Sequence, residues 1–350
     1  MEAILCDQTA LDYWRQRSEP CGSVASARRT ESAQPKHKGA VRIDTPSAAS
    51  IADLASWGLV DRDKVCLLVT KPEQRRRLLG VSYTTCHGPF PANSFEPALA
   101  RVFVTSPELL FVLLAKRLSF VQLLEVGFEL CGSYRLVDGI PSYDLEPLTT
   151  AARLRSFAKR AEGIHGRTAA IKAAQWIVDG SGSPAETALA IVFGLPCRYG
   201  GYGLGGFLLN SELALNAPAA HMLGRDALRP DFYWPAAKYP AEYDSSLYHS
   251  SRDQAEYDER RRNAYAAMGT SVAVIRPRHL IDSTLLDETA ASIRKNIGHK
   301  QYRLPTMYAE HKSELHAEAF RYWIDIRSDY GTGETFLQHA AVHARPPLPW

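Results

Sequence analysis

The run "SPELLFVLLAKRLSFVQLLEVGFEL" (106–130) sets apolar side chains at intervals of three and four, with Leu109, Leu110, Leu113 and Leu114 recurring on one side. That period predicts two buried helices. Ser106 can cap the first, with Pro107 at its first position and Glu108 in its positive first turn; Ser119 can start the second. Upstream, "KVCLLVT" (64–70) and "ARVFVT" (100–105) are short β-branched runs that predict strands. In "KPEQRRRLLG" (71–80), Arg75, Arg76 and Arg77 fit either a solvated turn or a phosphate contact. Residues 21–47 are rich in Ser, Ala, Pro and basic side chains without an apolar period, the pattern of a mobile surface segment.

Beyond residue 150 the pattern shifts. "AARLRSFAKRAEGIHGRTAAIKAAQWIVDG" is helical and basic, with a break near Gly163 to Gly166, and it places a domain boundary within 150–180. Ser183, Pro184 and Glu186 then form an S-x-x-E capping box that opens an apolar helix. "RPDFYW" and "YPAEYD" read as strands, with Pro240 moving the second toward an edge or a bulge. "SRDQAEYDERRRNAYAAMG" reads as a helix ended by Gly269, "TSVAVIRP" as a strand, and the chain from about 282 as mostly helical. The expected class is α/β. A mixed-sheet C-terminal domain (181–285) follows a separate α+β N-terminal domain (1–150) and a helical connector (151–180), and precedes a helical tail (286–350).

Composition narrows the function. A chain of 350 residues, 45% apolar, can bury two cores, and a net charge of only +3 excludes a generally basic nucleic-acid binder. Any DNA affinity must be local. Cys6, Cys21, Cys66, Cys86, Cys131 and Cys197 show no C-x-x-C and no zinc-like spacing, which predicts reduced thiols in a cytoplasm. The apolar run Leu109 to Ala115 is too short to span a bilayer, so no membrane association is expected.

Two motifs are decoys. Gly201, Gly203 and Gly206 fit G-x-G-x-x-G, but no strand precedes them and no helix opens after them, so a flexible loop is expected rather than a pyrophosphate cradle. His339 and His343 share a helical spacing, with His311 and His316 upstream. Without the glutamate of H-E-x-x-H they read as surface histidines.

The candidate chemistry lies in "DFYWPAAKYPAEYDSSLYH" (231–249). If "DFYW" and "YPAEYD" pair, Asp231 sits near the start of one strand while Glu242 and Asp244 share a face of the next. Two carboxylates and the Tyr243 backbone carbonyl make an oxygen-rich site suited to Mg²⁺, with Mn²⁺ as an alternative. Asp244 is a ligand or a turn-stabilising residue, and His249 a general acid/base or a polar loop residue. Arg260, Arg261 and Arg262 either face solvent or grip a phosphate backbone, and Arg261 can instead pair with Asp258 or a site carboxylate. Glu186 is a helix-capping acid, a metal-facing acid, or both.

"RPDFYW…AEYDSSLYH…DERRRNAYAAMG" resembles the PD-(D/E)-x-K nuclease superfamily, in its very-short-patch-repair-like branch and DUF559 relatives. The resemblance covers about 180–285. It implies a restriction-endonuclease-like fold and an Mg²⁺-dependent endonuclease acting on DNA. Pro230-Asp231 takes the place of the P-D element, and Glu242-Tyr243-Asp244 stands where E-x-K would, as an E-x-D form. His249 falls at the branch's catalytic histidine, Asp258 and Arg261 match its helix D-x-x-R, and Glu186 matches the acid on the helix before the sheet. Over fewer than twenty residues, "VFVTSPELLFVLLAKRLS" resembles the helix start of AbiEi-type antitoxins. That implies an alternative: a catalytically inactive, nuclease-fold regulator that holds DNA or a protein partner in a toxin–antitoxin or defence system.

Overall fold

In a computed structural model, residues 3–17, 65–99, 102–244, 252–300 and 306–330 are described. The chain divides into two compact units that meet in sequence between Ile177 and Val178.

In the first unit the central strand is its shortest. β1 (Ala3–Leu5) lies between β2 (Val65–Val69) and β5 (Val102–Thr105) in a five-stranded mixed sheet of order β3-β2-β1-β5-β4, where β3 is Val81–Thr85 and β4 is Phe95–Leu99. All three β1 side chains are buried. α1 (Asp7–Gln16) follows at once, and its Trp14 indole donates to the Thr105 carbonyl at 2.9 Å. Arg15 and Glu129 form a two-pronged buried pair, Nε–Oε1 2.8 Å and Nη2–Oε2 2.7 Å. This ties α1 to α3 (Phe120–Leu130) with geometry that offsets the cost of taking both charges from water.

The leucine stripe behaves as its spacing predicts. α2 (Pro107–Leu114) buries every residue, and the Ser106 hydroxyl caps it by accepting the Leu109 N–H. Ser119 and Gln122 complete a reciprocal cap at the start of α3. α4 (Ala151–Arg160) and α5 (Arg167–Ala174) pack against these helices. The break between them is held by Gly166: its φ is +96°, and a Cβ there would meet the Val112 carbonyl oxygen at 2.2 Å.

The second unit opens with α6 (Pro184–Gly194), in which all side chains through Phe193 are buried. Its four-stranded mixed sheet has the order β9-β8-β7-β6, with β6 Leu208–Leu209, β7 Phe232–Trp234, β8 Tyr239–Tyr243 and β9 Ala273–Ile275. β7 is antiparallel to β6 and β8, while β8 and β9 are parallel, so the chain must cross over between them. α7 (Ala217–Leu223) and α8 (Arg252–Ala267) pack through Ala219, Leu223, Ala264 and Tyr265. α9 (Ser283–Asn296) and α10 (Ala309–Ala319) belong to the same unit. Thus the mixed α/β class holds. Among the described residues no helix is long and apolar enough to cross a membrane.

Three expectations need correction. β8 is an interior strand despite Pro240, because its ladder to β9 begins only at Ala241, after the residue that has no N–H to give. The glycine loop is packed rather than flexible. Amides of Tyr202, Gly203 and Leu204 donate to the carbonyls of Val192, Leu195 and Phe193, using up the donors a phosphate would need and closing the end of α6. His316 is buried against Tyr202 and Phe320, and burial beside Lys312 lowers its pKa to about 4, whereas His311 is exposed. His339 and His343 lie outside the described residues, as does the segment 21–47.

Gly201 shows how tight that loop is, since a Cβ there would sit 2.0 Å from the Leu195 carbonyl oxygen, a backbone atom that cannot swing aside. Gly201→Ala should destabilise the second unit by about 2 kcal/mol through overpacking. Gly205→Ala, whose Cβ would have its nearest neighbour at 3.9 Å, should be close to neutral. Urea midpoints of the two variants compare them directly, and equal midpoints would contradict the packing.

Candidate functional site

The hairpin builds the site. Phe232 pairs with Ala241 and Trp234 with Tyr239, and four residues turn the chain between the strands. Side chains alternate across a sheet, so the core-facing Phe232 sends Asp231 to the opposite face, and Ala241 does the same for Glu242. The Tyr243 N–H donates to Asp231 Oδ2 at 2.6 Å, and the Asp231 N–H reaches Glu242 Oε2 at 3.5 Å. The two acids lean toward each other. It is the Tyr243 amide, not the carbonyl anticipated as a ligand, that meets Asp231.

α8 closes that face. Arg261 and Tyr265 stand one turn apart and both reach Glu242 Oε1, the guanidinium at 2.7 Å and the phenol at 2.5 Å. Arg261 also donates to the Arg229 carbonyl at 3.0 Å. With both anchors on Oε1, Oε2 faces Asp231. Of the three consecutive arginines, Arg260 and Arg262 are exposed while Arg261 is only 26% exposed and takes the site-carboxylate option. Asp244, just past β8, sits 3.7 Å from Arg276 Nε, and its N–H donates to the Ile275 carbonyl.

Glu186 arrives from the first turn of α6. Ser183 caps the helix as anticipated, accepting the Glu186 N–H. The Glu186 carboxylate accepts from the Gly182 N–H at 2.8 Å and from Asn210 Nδ2 at 2.6 Å. Asn210 has φ +47°, a conformation asparagine tolerates, and its N–H donates to the Asp231 carbonyl. Asn210 therefore links two of the acids.

No family model, curated protein or solved structure matches this chain. The site must be judged on its own chemistry.

Its electrostatics are those of acids short of positive charge. Burial pushes Glu186 up to about 8, with Asp231 adding to it against the bonds from Gly182 and Asn210. Burial and the Asp231 charge push Glu242 up to about 7, with Arg261 and Tyr265 opposing. Burial lifts Asp231 to about 6, opposed by the Tyr243 amide and Arg261 and assisted by Asp244. The Arg261 guanidinium acts on Glu242 and Asp231, and no cation opposes the burial of Glu186 among the groups that shift it.

The acids do not close into a single three-ligand cage. Among the described residues, the one group of three His, Cys, Asp or Glu ligand atoms lying within 4.8 Å of one another is Cys6, Asp7 and Cys66, in the other unit. His249 lies outside the described residues, and the side chain of Asp258 is likewise not described. The sequence pattern does not single out Asn210 or Tyr265. For Tyr265 a signal exists, its place four residues after Arg261 on one helix; for Asn210 there is none, because its role depends on a contact across the fold.

Proposed function

We propose that the second unit is an Mg²⁺-dependent endonuclease-type phosphodiesterase acting on DNA. The observation that supports this most is the cluster of acids, Glu186 buried and Asp231 and Glu242 half-buried, raised in pKa and carried by a hairpin and a helix start. Such groups repel one another until a divalent cation is shared between them. From α6 to β9 the order is helix, strand, helix, hairpin, helix and strand; it contains the helix, paired strands, helix and strand that the nuclease resemblance implies, with β6 and α7 inserted before the hairpin. In this reading Asp231 and Glu242, with the Tyr243 carbonyl, hold the cation, with Mn²⁺ able to substitute. Tyr265 and Arg261 orient Glu242 by gripping its other oxygen. Bound there, Mg²⁺ would polarise a phosphoryl oxygen and acidify a coordinated water. Asp244 supports the ligands, and Glu186 sits behind Asp231 as a proton-holding acid at neutral pH. His249 handles protons, and Arg260 and Arg262 contact the DNA backbone.

One observation favours a second reading. Arg261 and Tyr265 already satisfy Glu242 Oε1, so an internal cation can stand in for the metal and leave an inactive, DNA-holding regulator.

Incubating supercoiled plasmid with Mg²⁺ or Mn²⁺ separates the two. Metal-dependent nicking that drops about 1,000-fold in both Asp231→Ala and Glu242→Ala supports the enzyme. Intact plasmid together with a salt-sensitive gel shift supports the regulator. Nicking that persists in both variants rules out this site.

A further inference from the structure

We propose that Cys6, Asp7 and Cys66 form a site for a thiophilic divalent cation, with Zn²⁺ as the natural fit, in the first unit. Cys6 lies between β1 and α1, Asp7 opens α1, and Cys66 lies on β2. β1 and β2 are antiparallel neighbours with Leu5 opposite Leu67, and the Cys6 N–H donates to the Cys66 carbonyl at 3.0 Å. The two thiols therefore come from adjoining positions along that pairing, although sixty residues separate them in the chain. Asp7 Oδ2 stands 3.3 Å from Cys66 Sγ and 3.9 Å from Cys6 Sγ. A tetrahedral zinc ion with sulfur at about 2.3 Å and oxygen at about 2.0 Å has a sulfur–oxygen edge of about 3.5 Å. The two observed spacings bracket that edge, and all three ligand atoms lie within 4.8 Å of one another.

A second observation points to a ligand. Asp7 is 1% exposed, yet among the described residues its Oδ1 has no hydrogen-bond partner, while Oδ2 receives Thr84, Arg117 and the thiols. A buried carboxylate oxygen without a partner is costly, and a divalent cation at Oδ2 lowers that cost through its charge on the same carboxylate. Asp7 also holds φ +48°, a backbone position strained for a residue with a Cβ, at the junction between β1 and α1. The donor set selects the metal: two sulfurs and one carboxylate suit zinc and its relatives rather than Mg²⁺. Binding would release the two thiol protons to solvent. Neighbouring hydroxyls are in place to orient the ligands, Ser82 Oγ at 3.1 Å from Cys66 Sγ and Thr84 on Asp7.

Arg117 now balances the Asp7 charge. Its guanidinium lies 3.0 Å from Oδ2 and 2.7 Å from the Thr84 hydroxyl, on a side chain 46% exposed that is able to swing outward. It competes with a cation at the same oxygen. Removing that charge with Arg117→Met should tighten metal binding about 10-fold or more.

The test uses the reduced full-length chain and Co²⁺ as probe, with Zn²⁺ as competitor. A thiolate-to-cobalt charge-transfer band should appear, saturate at one equivalent and vanish on adding Zn²⁺. It should be lost in Cys6→Ser and Cys66→Ser and kept in Cys197→Ser and Glu242→Gln. Because the buried cysteine variants can misfold, wild-type thiols are also alkylated with and without Zn²⁺: protection mapping to Cys6 and Cys66, and tighter binding by Arg117→Met, support the site. Reduced wild-type protein that gives no band, or protection at other cysteines, overturns it. So does a Cys6–Cys66 disulfide whose reduction restores no metal binding. None of these outcomes depends on nuclease activity.

Discussion

Without metal, the second unit should lose stability as the pH rises from about 4 to about 8, by on the order of 4 kcal/mol. Glu186, Glu242 and Asp231 are raised to about 8, 7 and 6, chiefly by burial and in the two glutamates also by the Asp231 charge. A raised carboxylate binds its proton more tightly folded than unfolded. Its contribution is therefore complete below the ordinary carboxylate range and fades as the pH climbs through the folded value. The three share protons, so their effects do not simply add. Urea midpoints in chelator between pH 4.5 and 8.5 measure the slope, and a midpoint that climbs with pH across that window contradicts the electrostatics. Glu186→Gln should flatten the upper part of the curve. If Mg²⁺ binds these acids, it should restore the midpoint at pH 8 and do little at pH 5, where protons compete for the same oxygens.

Phe232→Ala should cost about 4 kcal/mol, the upper range for an aromatic removed from a core. Phe232 is fully buried, with ring centroids 5.7 Å from Phe193, 5.3 Å from Phe207 and 6.2 Å from Trp234. Few sites nearby can collapse into the gap, because Trp234 is itself pinned through its indole N–H to the Leu204 carbonyl at 2.7 Å. The same ring fixes the strand that aims Asp231, so the variant should also weaken whatever the acids bind. Phe232→Leu should retain more than half of the lost stability. A midpoint shift in Phe232→Ala worth less than about 1 kcal/mol would show that the aromatic cluster does not hold the hairpin.

Much of the site was legible in the sequence, and for a local reason. Strand alternation put Glu242 and Asp244 on one side, the short span from Asp231 to Glu242 allowed a hairpin, and Ser183-Pro184 marked the helix start that presents Glu186. Each of these follows from dihedral preferences over a few residues. The leucine stripe of α2 and the cap at Ser106 were equally local. What escaped were elements without a period. β1, three residues long, is too short to show alternation, yet it is the middle of its sheet. Pro240 suggested an edge strand because the residue at which β9 begins to pair is not written near it.

By itself, then, the chain determined its α/β class, the caps, the leucine core and the hairpin with its acids. Tertiary structure alone decided which charges meet. It set Arg261 and Tyr265 on Glu242, joined Asn210 to Glu186, folded the glycine loop onto the end of α6, and brought Cys6 and Cys66 to one carboxylate. The physical reason is range. Backbone preference and side-chain period act over neighbouring residues, whereas an ion pair or a ligand set depends on the distance between segments, which exists only once the core has packed.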